Sequence, residues 1–144
     1  SLLTYTLAHN RVKIICPEHG CFEQLPYTHI QGFGCNNCFE SKGENEINNL
    51  LIQNKIIFER QKTFSNCKDK RMLPFDFYLP KQNICIEFDG VQHFMPIKQF
   101  GGESALKKTI KRDKIKTKFC KNANIQLIRI KYDENIFDKL KFLF

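Results

Sequence analysis

"FDFYLPKQNICIEFDGVQHF", Phe75–Phe94, holds two strand-like apolar runs, Phe75–Leu79 and Ile84–Phe88, separated by the turn Pro80–Asn83. Each run carries an acid, Asp76 in the first and Glu87 in the second, with Asp89 just beyond. A carboxylate in an apolar strand is costly unless something positive holds it. Adjacent strands can set Asp76 and Glu87 side by side, where they repel each other unless a cation lies between them. Hard oxygen donors suit Mg2+ or Mn2+. Beside a basic surface, such an ion would polarise a phosphodiester and activate water. The plainer alternative is a pair of solvent-facing acids on edge strands.

The pattern around this hairpin reads as a small α/β unit. "SKGENEINNLLIQNKI" predicts a helix with Ser41 as N-cap, Glu44 in a capping box, and an apolar face of Ile47, Leu50 and Leu51. Ile56–Phe64 alternates like a strand and Asn66–Arg71 is a polar loop. After the acid-bearing strands come a long basic helix over Ser104–Lys121, a strand over Ile125–Lys131 and a terminal helix over Glu134–Leu143. The order from Ser41 onward is α-β-β-β-α-β-α. Seven cations fall within twelve residues of the basic helix: Lys107, Lys108, Lys111, Arg112, Lys114, Lys116 and Lys118. A soluble face needs fewer, and contact with phosphates accounts for them better.

The first forty residues differ in kind. Short strand-like pieces at Arg11–Ile15 and Phe22–Leu25 are broken by Pro and Gly, with too little apolar content for an independent core. Cys16-x-x-His19 and Cys35-x-x-Cys38 are two ligand pairs, each with two intervening residues, flanked by Gly20 and Gly34. Four such donors suit a closed tetrahedral structural Zn2+ site, with Cys21 and His29 as spare donors. Unligated thiols, a disulfide or a redox Cys-x-x-Cys are the alternatives, and the last expects a βαβ setting absent here. The stretch resembles the zinc-ribbon-like modules found beside nuclease domains in phage and large-virus proteins. The expected division is therefore 1–40, a zinc-ribbon-like module, and 41–144, the α/β unit.

Formal net charge is +8 over 144 residues, with a sequence pI of about 9.2, which points to an acidic partner and above all to nucleic acid. No apolar run approaches the roughly 20 residues needed to cross a bilayer, and Ser1–Asn10 lacks the charged start and apolar stretch of a signal peptide. Seven cysteines, an odd number, with a Cys-x-x-Cys pair fit reduced thiols and a metal better than a secreted disulfide framework. The expectation is an intracellular protein (cytoplasm, nucleus or virus-infected host cell), not secreted, with DNA as partner and no membrane.

From Glu44 to Lys131 the chain resembles the PD-(D/E)XK nuclease superfamily, in the branch of very-short-patch-repair-like and mobile-element endonucleases. "GENEI", "LPFDFYLP", "ICIEFDGVQHF", "KRDKIK" and "IQLIRIKYDE" carry the resemblance. It implies a restriction-endonuclease-like αβββαβ core with a mixed sheet and a metal-dependent DNA endonuclease that hydrolyses phosphodiester bonds. Asp76 matches the first motif acid, Glu87 the second, and Glu44 the helix glutamate that completes the metal shell. The third position, where the family's lysine usually stands, is Asp89, as in the branch with an E-x-D-G-x-x-H pattern. That leaves His93 as the candidate for proton transfer, its pKa lying near neutrality. Gln92 is then a candidate for positioning water or phosphate, and Asp113 a further site acid. Against this stand the ordinary roles: Glu44 as a capping-box acid, Asp89-Gly90 as a turn, His93 as a structural histidine, Asp113 as a solvated helix acid. Two other functions compete. One is a non-catalytic nucleic-acid-binding module on a decayed nuclease fold. The other is a zinc-stabilised protein-interaction domain, which explains the charge but not acids in strands.

Overall fold

The computed structural model describes residues 10–17, 19–30, 34–98 and 101–144, without the side chains of residues 36–41 and 92. The chain divides into two compact units, Ser1–Gly43 and Glu44–Phe144. The protein is mixed α/β, with a mixed sheet of four strands in the second unit.

In the first unit, β1 (Val12–Cys16) and β2 (Gly20–Gln24) form an antiparallel hairpin whose register ends at Cys16↔Gly20. Gly20 turns the chain back with φ +78, a conformation that glycine takes without steric cost. Gly34, which precedes the Cys35-x-x-Cys38 pair, does not adopt positive φ. A short helix α1 (Pro26–Ile30) follows, where no element was expected.

Helix α2 (Asn36–Gln53) starts five residues before Ser41, so Ser41 is an interior position and not an N-cap. Nothing between Asn36 and Ser41 breaks a helix, and a capping signature does not terminate a helix that can propagate backwards through it. From Glu44 onward its inner stripe belongs to the second unit. Ile47 and Leu51 are fully buried against Phe77, Leu79, Ile84, Ile86, Ile130, Ile136 and Leu140. These residues come from β4 (Phe75–Leu79), β5 (Ile84–Asp89), β6 (Gln126–Lys131) and α4 (Ile136–Leu140). Burying each such side chain contributes about 1.5–3 kcal/mol.

The sheet order is β3-β4-β5-β6, with β3 (Glu59–Lys62) and β4 antiparallel, β4 and β5 antiparallel, and β5 and β6 parallel. Strand β3 is shorter than the alternation of Ile56–Phe64 suggested. Phe58 and Phe64 leave the ladder to pack in the two separate cores, and Gln61 between them has φ +51. The parallel β5–β6 pair requires a crossover, made by α3 (Gly102–Asn122). Its Ile115, Phe119 and Cys120 pack with Phe64, Cys67, Leu73, Phe75, Tyr78, Cys85 and Leu127 in a second core. Phe75 shares parity with Phe77 yet joins this second core, meeting the Phe64 ring at 5.8 Å and the Phe119 ring at 6.2 Å. The terminal helix expected over Glu134–Leu143 is α4 followed by a 3-10 turn at Lys141–Leu143, and Asn135 caps it by accepting from the Asp138 N–H at 3.0 Å. No described helix is long and apolar enough to cross a membrane.

Candidate functional site

The β4–β5 ladder runs Leu79↔Ile84, Tyr78↔Cys85, Phe77↔Ile86. The ladder ends there, and the Asp76 carboxylate takes over by accepting the Phe88 N–H at 2.8 Å. Glu87 shares parity with Cys85, so it lies on the face that packs α3, and it is 4 % exposed. From α3 the Lys116 ammonium donates to Glu87 Oε1 at 2.5 Å, while also lying 5.1 Å from the centre of the Phe75 ring. Burial first, then the charge of Asp76, push the Glu87 carboxyl up to about 8, against the pull of Lys116.

One step along the same face lies a second cluster. Asp89 ends β5 and is buried. Gly90 follows, and the 3-10 turn Val91–His93 folds the imidazole back over the strand end. His93 Nδ1 lies 2.9 Å from Asp113 Oδ2 on α3 and 3.6 Å from Asp89 Oδ1. Arg129, on β6, donates to Asp89 Oδ1 at 2.8 Å and reaches Asp113 Oδ1 at 3.5 Å. Burial raises the Asp89 pKa despite the Arg129 charge. For His93, burial pulls the pKa down, but the Asp113 hydrogen bond and the charges of Asp113 and Asp89 outweigh it, so the net shift is upward.

Asp76 lies close enough to Glu87 for its charge to raise the Glu87 pKa, and Asp89, His93 and Asp113 converge with their donor atoms within 4.8 Å of one another. Glu44 takes the Arg60 guanidinium at 2.5 Å, and that guanidinium stacks 4.6 Å over Phe77. The Gln92 side chain lies outside the described residues. Lys107, Lys108, Lys111, Arg112, Lys114 and Lys118 are exposed. Lys111 bonds Asp69 at 2.7 Å, with Arg112 at 3.9 Å from the same carboxylate.

Two residues that shape the site were not singled out from the sequence. In the sequence Lys116 is one of seven cations of the basic helix. Its signal was positional: it lies three residues after Asp113 and four before the buried Cys120, on the helix stripe that faces the sheet. Arg129 interrupts "IQLIRIK" at the parity of Leu127, which marks it as pointing to the α3 side.

In the first unit, Cys16, His19 and Cys35 hold their donor atoms within 4.8 Å of one another, with Cys16 Sγ 3.6 Å from His19 Nδ1. These residues can hold a metal ion. The hairpin turn delivers two of them and Cys35 arrives just before α2. The fourth expected donor, Cys38, has its side chain outside the described residues. Cys21, a spare donor, is exposed.

A family model described as "Protein of unknown function (DUF723)" matches residues 1–39, the stretch that carries these donors. No curated protein and no solved structure matches the chain.

Proposed function

We propose that the protein is a metal-dependent DNA endonuclease of the PD-(D/E)XK type, with a restriction-endonuclease-like core in its second unit and a structural Zn2+ in its first. The observation that carries the reading is the Asp76–Glu87 pair. Asp76 lies beside Glu87 at the end of a strand ladder, and burial first, then the Asp76 charge, hold the Glu87 carboxyl far above its ordinary pKa, so further positive charge there is favourable. A divalent cation with oxygen preference supplies that charge, and Asp76 and Glu87 are the residues that would hold Mg2+ or Mn2+. When bound, the ion polarises a phosphodiester and lowers the pKa of water.

The chain's own residues supply the rest. Lys116, already bonded to Glu87, is a cation placed for a phosphate oxygen and stands in for the lysine that the strand motif lacks. His93, held through Nδ1 by Asp113, has its Nε2 for hydrogen bonding or proton transfer at the reacting phosphate. The exposed cations of α3 give a path for the nucleic-acid backbone. The donor set Cys16, His19 and Cys35, completed by Cys38, suits Zn2+.

The test is nicking of supercoiled plasmid by the purified chain with Mg2+ and with EDTA, beside Asp76→Asn. Mg2+-dependent nicking lost in the variant supports the reading. Binding without nicking in any divalent metal favours the non-catalytic module, for which Asp89 in the lysine position is the specific argument.

A further inference from the structure

The cluster of Asp89, His93 and Asp113 has the composition of a second cation site, yet a cation of the protein already sits in it. Arg129 reaches sideways from β6, whose parallel register places it beside Glu87. Its Nη1 bonds Asp89 Oδ1 at 2.8 Å and lies 3.5 Å from Asp113 Oδ1. Its Nη2 donates to the Asp113 backbone oxygen at 3.3 Å. The guanidinium thus takes the Oδ1 atom of each acid and a carbonyl of α3. What remains to Asp113 is Oδ2, and that oxygen holds His93 Nδ1 at 2.9 Å.

We propose that Arg129 is a positioning residue, clamping Asp89 and Asp113 so that Asp113 fixes the His93 imidazole by Nδ1 and turns Nε2 to the substrate. The inference deepens the nuclease reading and rests on it. Three arguments support it. A guanidinium is permanently charged and rigid, so it can orient two carboxylates at once in a way that a lysine cannot. With Arg129 present, two acids face one fixed cation, and the residual negative charge matches an imidazolium rather than a divalent ion. The net upward shift of His93 agrees with that balance. Finally, the clamp ties β5, β6 and α3 together at one point, so the imidazole is referenced to three elements and not to its own 3-10 turn alone.

The experiment uses the full chain with Arg129→Gln, Arg129→Lys and Asp113→Asn. In metal-free protein, 15N-detected NMR of the His93 ring reads its neutral tautomer. The wild type should show mainly Nδ1–H, and both Arg129→Gln and Asp113→Asn should give a mixture. In plasmid nicking, Arg129→Gln should lower kcat by at least ~10-fold, a partial loss of the roughly 100- to 10,000-fold that positioned proton transfer contributes, with KM little changed. Arg129→Lys should recover only part of the rate. An unaltered His93 tautomer in Arg129→Gln overturns the proposal, as does an unaltered kcat. If Arg129→Gln does not fold, the Arg129→Lys and Asp113→Asn spectra decide, and a wild-type tautomer in both overturns it. A wild type that nicks no DNA under any metal sinks the nuclease reading, while the tautomer still tells whether Arg129 sets the imidazole.

Discussion

Glu87→Gln is expected to change how stability depends on pH, and the sign can be worked from the site. In the folded, metal-free protein the Glu87 carboxyl is pushed up to about 8 by burial and by Asp76. Unfolded, it returns to the ordinary value near 4.5. Between those values the folded state binds the extra proton, so stability falls as pH rises. The contribution is fully present below pH ~4.5 and is lost as pH climbs through ~8, with a ceiling on the order of 5 kcal/mol. Glutamine keeps the shape and an oxygen for Lys116 but cannot ionise, so it removes this slope. The assay is thermal unfolding from pH 5.5 to 9 in EDTA. Wild type should lose several kcal/mol relative to Glu87→Gln across that range, more than ~10 °C in Tm for a domain of this size. Adding Mg2+ at pH 8.5 should restore much of the wild-type loss and leave the variant unmoved, because only the carboxylate gains a counter-charge. Parallel pH profiles for the two proteins would refute the account of Glu87 as a buried acid awaiting a cation.

Zn2+ should copurify at one ion per chain, and Cys35→Ser should lower thermal stability, since metal binding supplies folding free energy where the apolar core is small; zinc-free protein indifferent to chelator would contradict this. Lys114→Glu with Lys118→Glu, on the exposed side of α3, should weaken DNA binding at all sequences and flatten the salt dependence by about 1 for each phosphate the helix no longer neutralises. An unchanged slope would move the DNA path elsewhere.

The strands at the centre were legible because their signal is local. Phe75–Leu79 alternates with period two, and Ile84–Asp89 is a short apolar run bounded by a turn and a glycine. The basic helix was legible within two residues at its start, where Gly101 and Gly102 take positive φ. The start of α2 was not, because Ser41 and Glu44 fit a capping box that the helix runs straight through. Within the site, the acids could be read because acids in apolar strands are conspicuous. Their partners could not. Lys116, Arg129 and the pairing of Glu44 with Arg60 depend on which elements lie side by side in space, and one sequence does not encode that at short range. In the first unit the two-residue spacing made Cys16 and His19 readable as ligands, and the arrival of Cys35 beside them from the segment before α2 is a tertiary fact.

The most direct test of the central claim is the nicking rate of Asp76→Asn in Mg2+, read with its melting temperature and its DNA affinity. If Asp76 and Glu87 share a metal, the rate should fall by at least ~100-fold, because Lewis-acid stabilisation and water activation are lost together. The fold should persist in EDTA, with Glu87 relieved of a neighbouring anion, and DNA binding should persist because α3 is untouched. A variant that nicks plasmid as fast as the wild type, at equal affinity and stability, would contradict the site.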